Sequence, residues 1–451
     1  MPLASIFTKE SAGTSCSIRP NQYIQKKGFF MKHMSYAKWV AAALLLPLAG
    51  FAEQLAFSGT TDKNPLLYKT GEPIKFTVTL VDKEKQNQPV TGRKLVWERK
   101  GDDGKTEKGE GLSDQPLVVT TAISKPGFVR LTVKVLDEKG DVVKQKNAFF
   151  DGGAGADVNK IEAYPAPADF NQFWDGEVKK LLATPYEVKL TPIKWSQPDK
   201  VKVFKFSITT FAGERPATGL IGYPVNAKPK SLGLWISTIG YGFGRYWVTN
   251  DLIVKGNIFL TLARQGEDPL NDESYYENLK NNEMKQFCFR HNDDKYQNDF
   301  YKMLIRDLRA LQYAKTLPEW NGRDLTVSGG SMGGFQAIAL AALDPAVTRC
   351  FAHIPWVADI AGAAKFNRMG GWRPSFTETL GYFDTANLAS RVQCPTEVSI
   401  GLGDYVCPPS GQMILFRNLA GKKKLKAHQN FGHGAPYGVN TASYEFENEI
   451  R

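Results

Sequence analysis

At 451 residues the chain is too long for one ordinary core, and at about 100–200 residues per domain two domains are the expected number after processing. A hydrophobic share of 42% with a charged share of 23% excludes both a disordered chain and an integral membrane protein. Of the formal net charge of +11, six Lys or Arg against one Glu fall in residues 1–52; no basic run with interleaved aromatics follows, so a solvated surface rather than a nucleic-acid partner is expected.

Residues 31–52 begin with Lys32 and Lys38, continue through an apolar stretch from Trp39 to Leu48, and close on Gly50 and Ala52. This is the pattern of a secretory signal peptide. Its apolar part is short for a bilayer span, so the mature chain is expected to be secreted or periplasmic, with no stable membrane span. The residues before Met31 are expected to carry no fold. Past Cys16, the cysteines Cys288, Cys350, Cys394 and Cys407 form no CxxC or His/Cys cluster. Mostly free, buried thiols are expected, and neither a metal nor an organic cofactor.

From residue 53 to 150, short runs alternate apolar and polar residues, as in Ile74–Leu80, Leu95–Glu98 and Val129–Val135. Period-two alternation broken by Gly, Asp and Lys turns predicts an antiparallel, immunoglobulin-like β-sandwich. Holding no His or Cys, it is expected to act as a spacer or adhesion module. Residues 151–156, Asp-Gly-Gly-Ala-Gly-Ala, have the composition of a flexible linker, and residues 157–451 make up the second domain. Its first helix is expected from Pro167, with Asp169 as the cap and Phe170, Phe173, Trp174, Val178 and Leu181 on one buried face.

Downstream, strands alternate with helices, which predicts a mostly parallel sheet flanked by helices. A lead-in hairpin (201–209 and 217–223) precedes strands at 232–237, 258–262, 325–328, 350–353, 397–401 and 425–429. Helices are expected at 296–315, after Ser331, and at 410–419. Lys422, Lys423 and Lys424 are expected in an exposed turn before the last strand. Functional groups in such sheets lie beyond the carboxyl ends of the strands.

There Gly329-Gly330-Ser331-Met332-Gly333 fits GxSxG between an apolar strand and a helix, the context of a nucleophile on a sharp turn that tolerates little side-chain bulk. A serine hydroxyl needs a base oriented by a carboxylate, in the chain order Ser, Asp, His. His433, in the loop after the last strand, is the base; His428 falls within the strand, and His291 and His353 lie too early. Asp404, after the penultimate strand, is the preferred carboxylate, with Asp359 as the competitor. Backbone N–H groups of Met332 and, in the turn after the strand at 232–237, Tyr241 are the expected oxyanion donors. This order and turn identify an α/β-hydrolase fold.

Taken together, Pro167–Trp174, Gly240-Tyr241, Arg264-Gln265-Gly266, Gly329–Gly334, Gly401–Asp404 with Cys407-Pro408-Pro409, and Gly432-His433 resemble the acetyl xylan esterase and cephalosporin-C deacetylase group, carbohydrate esterase family 7. The resemblance covers nearly all of residues 157–451. It implies removal of acetyl groups from xylan or xylo-oligosaccharides, with Ser331, Asp404 and His433 as triad and Tyr241 and Met332 as oxyanion hole. Gly240, Arg264, Gln265 and Trp356 are expected in the supporting shell or substrate pocket, and Trp247 and Trp372 as further stacking candidates. The family typically has an extra glycine in the Arg264-Gln265-Gly266 motif, Gln at Met332, His at Ile239 and Glu at Gly434. These departures bear on substrate preference. The resemblance also implies rings of subunits, an assembly that the sandwich would obstruct. Other polysaccharide esters (pectin acetyl or methyl, feruloyl), a prolyl oligopeptidase-type peptidase and a non-catalytic glycan-binding protein stay open as alternatives.

Overall fold

The computed structural model describes residues 53–211, 214–434, 436 and 438–450. The signal segment at 31–52 lies outside the described residues. Eight strands come first: β1 (Leu55–Thr61), β2 (Ile74–Asp82), β3 (Gln88–Pro89), β4 (Lys94–Gly101), β5 (Thr106–Leu112), β6 (Leu117–Thr121), β7 (Gly127–Val135) and β8 (Phe149–Ala156). They form two four-stranded antiparallel sheets, one of β1, β2, β3 and β6, the other in the order β5-β4-β7-β8. The alternation has the expected effect: Ile74, Phe76 and Val78 of β2 and Val129, Leu131 and Val133 of β7 are buried in one shared core, while the intervening residues are more exposed.

The glycine-rich segment 151–156 is not a linker. It belongs to β8, paired in register with β7 from Lys134↔Phe149 to Gly127↔Ala156, and Asp151 through Ala156 are all buried. Composition misleads here because the small residues serve close packing rather than mobility. An ideal Cβ at Gly153 would lie 2.3 Å from the Leu402 carbonyl oxygen, so another chain segment crosses where a side chain would stand.

Ten strands follow: β9 (Val188–Ile193), β10 (Val201–Ile208), β11 (Ala217–Pro224), β12 (Leu232–Thr238), β13 (Asn257–Leu262), β14 (Trp320–Gly330), β15 (Arg349–His353), β16 (Thr396–Gly401), β17 (Lys423–His428) and β18 (Ser443–Glu447). They make one sheet in the order β18-β17-β16-β15-β14-β12-β13-β11-β10-β9, parallel from β13 to β17 and antiparallel at both ends. The edge strands β9 and β18 carried little sequence signal. β9 is almost wholly exposed and contains Pro192; β18 is acidic and complements the basic β17, with Glu445 paired to Lys424 at 2.6 Å. Lys423 and Lys424 accordingly lie inside β17 and not in the turn.

The helix Phe170–Ala183 buries Phe170, Phe173, Trp174 and Leu181 as expected, and Asp169 occupies the N-cap position, but its side chain makes no capping hydrogen bond. Its carboxylate instead accepts the Tyr382 hydroxyl. Helix Asp299–Ala314 is capped by the Asn298 side chain, which accepts the Phe300 N–H at 2.8 Å. Helix Met332–Leu343, rich in alanine, is buried on every face. Such all-round burial suits an apolar helix packed within the core. Cys288, Cys350, Cys394 and Cys407 are free and buried.

Candidate active site

The parallel strands end together. Thr238 of β12 sits beside Gly329 of β14, Gly330 beside His353 of β15, His353 beside Ser399 of β16, and Gly401 beside His428 of β17. Loops leaving this line carry Tyr241, Ser331, Asp404 and His433.

Ser331 joins β14 to the helix Met332–Leu343 with φ 58° and ψ −120°, a conformation that costs a non-glycine residue on the order of 1–3 kcal/mol and persists only where neighbours enforce it. Here they do. Its N–H donates to the His353 carbonyl at 2.9 Å, and its carbonyl accepts the Trp356 N–H at 3.0 Å and the Phe335 N–H at 3.1 Å. Thr238 Oγ1 donates to the Gly333 carbonyl at 2.6 Å and reaches the Ser328 carbonyl at 3.1 Å. Glycine is required by that closeness: a Cβ on Gly329 would be 2.3 Å from Thr238 Oγ1.

Ser331 Oγ lies 3.0 Å from His433 Nε2, and His433 Nδ1 lies 3.0 and 3.2 Å from the two Asp404 oxygens. Asp404 is buried, and its Oδ1 also accepts the Val406 and Cys407 N–H groups at 2.8 Å each. A hydroxyl, an imidazole and an oriented carboxylate within hydrogen-bond reach can generate an oxygen nucleophile at neutral pH. Asp404, Cys407 and His433 also bring three donor atoms within 4.8 Å of one another, but both Asp404 oxygens are engaged as described, and burial pushes the Cys407 thiol well above its ordinary range.

The competitors are placed elsewhere. Asp359 pairs with Arg368 at 2.6 Å and is pushed up to about 7 by burial, with Arg368 pulling the other way. His428 lies between Ser443 Oγ at 2.7 Å and Ser399 Oγ at 3.1 Å.

The Gly240–Tyr241 turn comes alongside the serine: an ideal Cβ on Gly240 would be 3.7 Å from Ser331 Cβ. Met332 opens its helix, where the first N–H groups have no intrahelical acceptor. The Tyr241 ring stacks on Phe287 (centroids 4.3 Å apart, planes at 8°) and meets Trp372 edge-on at 4.8 Å. Trp356 stacks on Trp372 at 5.1 Å and donates its Nε1–H to the Trp372 carbonyl at 2.5 Å. Trp356 is fully buried, so it is a wall of this aromatic group rather than an open stacking surface, whereas Trp372 is 43% exposed. Trp247 is exposed and has no ring contact with the group.

Residues 159–449 match the model of the acetyl xylan esterase family, AXE1. The chain belongs to the acetyl xylan esterase family. It is therefore a carboxylic-ester hydrolase. Acetyl esterase Axe7A of Xylanibacter ruminicola is 26% identical over 381 residues, 79% of this chain and 82% of that one. Acetyl xylan esterases of Paenibacillus sp. and Thermoanaerobacterium sp. share the fold, with TM-scores of 0.52 and 0.53 at 21% and 20% identity, over 62% of this chain and 93% and 92% of theirs. Among the described residues of the esterase, no helix is long and apolar enough to cross a membrane.

Behind the Gly240 turn the esterase has a buried lock that the sequence revealed only in part. Arg264 Nε donates to the Gly240 carbonyl, and its Nη1 donates to Tyr246 Oη at 2.8 Å. Glu267 accepts the Tyr246 hydroxyl and, at 2.7 Å, the Gln265 N–H, while Arg306 donates to Gln265 Oε1. Burial holds the Tyr246 phenol well above its ordinary range, so it stays a neutral donor. Arg264 thus acts on the backbone of the turn, and Gln265 joins Glu267 to Arg306 behind it. Tyr246, Glu267 and Arg306 carry no motif of their own, and in sequence only Glu267 lies close to the Arg264-Gln265-Gly266 motif.

Proposed function

We propose that the esterase is an exported serine esterase of the α/β-hydrolase fold that removes acetyl groups from xylan or xylo-oligosaccharides through an acyl-enzyme. The observation that carries this reading is His433, whose two ring nitrogens lie 3.0 Å from Ser331 Oγ and 3.0 Å from Asp404 Oδ2. His433 Nε2 takes the Ser331 proton as Oγ attacks the ester carbonyl. The tetrahedral oxyanion faces the N–H groups of Tyr241 and Met332, and collapse expels the sugar hydroxyl, which takes the proton back from His433. Water, deprotonated by the same nitrogen, then releases acetate and restores Ser331. Asp404 orients the imidazole and stabilises its charge.

Family membership and the name of the relative in Xylanibacter ruminicola support acetyl as the acyl group. The aromatic group of Tyr241, Phe287, Trp356 and Trp372 agrees with a small one, because these rings pack on each other beside the serine. Export rests on the signal pattern of residues 31–52. The two sheets at 53–156, closed over a single apolar core, are an immunoglobulin-like sandwich in this reading.

Ser331→Ala is expected to lower acetate release from acetylated xylo-oligosaccharides by a factor on the order of 10⁴ or more with the melting temperature unchanged. Turnover retained in that variant would overturn the reading. Methyl-esterified pectin, feruloylated oligosaccharides and peptides assayed in parallel separate the alternatives.

A further inference from the structure

The β8 strand and the loops of Asp404 and His433 meet in a dense set of contacts that the triad chemistry does not account for. Gln429, at the foot of the His433 loop, accepts the Gly153 N–H through Oε1 at 2.8 Å and donates to the Gly153 carbonyl through Nε2 at 2.9 Å. Asn430 accepts the Asp151 N–H at 3.0 Å and donates to the Phe57 carbonyl of β1 at 3.1 Å. On the far side of the loop, the Val439 N–H donates to the same Phe57 carbonyl at 3.1 Å. Both feet of the segment bearing His433 are therefore tied to one acceptor in the amino-terminal unit. The Asp404 loop is gripped as closely. A Cβ on Gly403 would lie 2.1 Å from the Asp151 carbonyl oxygen, and one on Gly153 would lie 2.3 Å from that of Leu402.

The grip extends to the aromatic wall. Asp102, beyond β4, accepts the Met369 N–H at 3.0 Å, and Lys125 Nζ donates to the Phe366 carbonyl at 2.7 Å. These bonds hold the segment that leads into Trp372. A spacer or a separate binding module needs neither buried hydrogen bonds to the base loop nor backbone packed against the Asp404 loop. A unit that positions them does, because a displacement of about 1 Å in a reacting group can cost about 100-fold in rate.

We infer that the amino-terminal unit is a working part of the active site, in which Gly153 of β8, read by Gln429, is a positioning element for the base loop. The inference rests on His433 being the base. It is tested on the intact chain with Gly153→Ala, Gln429→Ala, Asn430→Ala and the isosteric Gln429→Glu, which removes the donor to the Gly153 carbonyl. Val78→Ala, in the core of the same unit, serves as the control for mere loss of stability.

With p-nitrophenyl acetate well below the melting temperature, kcat is expected to fall between about 10- and 100-fold in the first three variants. KM should change little, fluorophosphonate labelling of Ser331 should slow in step, and Gln429→Glu, which keeps the acceptor for the Gly153 N–H but sets a carboxylate oxygen against the Gly153 carbonyl, should lose at least as much rate as Gln429→Ala. Val78→Ala should lower the melting temperature and keep the wild-type kcat. Contact variants with wild-type kcat and labelling would overturn the inference, as would a Val78→Ala loss equal to theirs. Should Gly153→Ala fail to fold, Gln429→Ala and Gln429→Glu, which add no bulk, carry the same test. Amide exchange of residues 429–434, expected to quicken in Gln429→Ala, decides the point without turnover. If the wild-type chain hydrolyses no ester, the proposed function fails while exchange still reports on the positioning.

Discussion

The two halves of the proposed catalytic centre are supported in opposite ways. The Ser331 turn is held from inside its own sheet, by the His353 and Trp356 backbone and by Thr238 of the neighbouring strand. Asp404 and His433 stand on loops that lean on a different part of the chain, through Gln429, Asn430 and Gly403. Ser331, the proposed nucleophile, is thus fixed by the geometry common to strand-turn-helix elbows, whereas Asp404 and His433 inherit their placement from strands β1 and β8. Strain is concentrated in the first half and dependence in the second.

Short of removing the Ser331 hydroxyl itself, the largest effect should come from the second half. Asp404→Asn keeps an oxygen for the Val406 and Cys407 N–H groups but removes the charge that orients and stabilises the imidazolium. A fall in kcat of about 10³- to 10⁴-fold with near wild-type stability is expected by steady-state kinetics and thermal melting. A loss below tenfold would mean that the loop backbone, rather than the carboxylate, places His433. Gly329→Ala probes the first half. Its added methyl would collide with Thr238 Oγ1 at 2.3 Å and the Gly333 carbonyl at 2.4 Å, so a loss on the order of 100-fold in kcat is expected together with a lower melting temperature. Unchanged melting would show the turn to be less tightly enforced than its contacts indicate.

The smallest effect concerns what lies under the serine helix. Burial pushes the Asp307 carboxyl up to about 7, against the pull of the Gln336 amide, which donates to Asp307 Oδ2 at 2.8 Å. Because the folded value is raised, this group's contribution to stability is fully present below about pH 4 and is lost as pH rises through about 7. Asp307 Oδ1 and Gln336 Oε1 have no partner. Asp307→Asn removes the ionisation and supplies a donor, so it should raise the melting temperature at pH 8 by roughly 2–6 °C and at pH 5 by less. An equal gain at both pH values would place the effect in the hydrogen bond alone.

Much of the second half of the chain was legible because buried parallel strands are continuous apolar runs and the nucleophile turn has its own glycine signature. The runs at 232–237, 258–262, 325–328, 350–353 and 397–401 all fall within observed strands. Ser331 and Asp404 could be named because each follows one of these strands and His433 because it follows β17, and the structure brings the three together. What escaped shares one physical cause: its meaning lies in a distant partner. Residues 151–156 resemble a linker until Leu402 and Gln429 are seen against them. β18 is an acidic segment until it lies along Lys424 and Lys426. Tyr246 and Glu267 look like ordinary loop residues until Arg264 joins them to the Gly240 carbonyl.

The crossing of β8 with Leu402 and Gly403 bears on how such a chain can be recombined. At that point two backbones pass with no space for a Cβ on Gly153 or Gly403, and Gln429 recognises a main-chain amide rather than a side chain. A replacement front half is compatible only if it presents a bare backbone at the height of Gly153. The seam is closed beyond that point as well, since a Cβ on Gly152 would lie 2.4 Å from Gln429 Oε1, and the smallest piece that can be exchanged as a unit includes the strand together with the loop it touches.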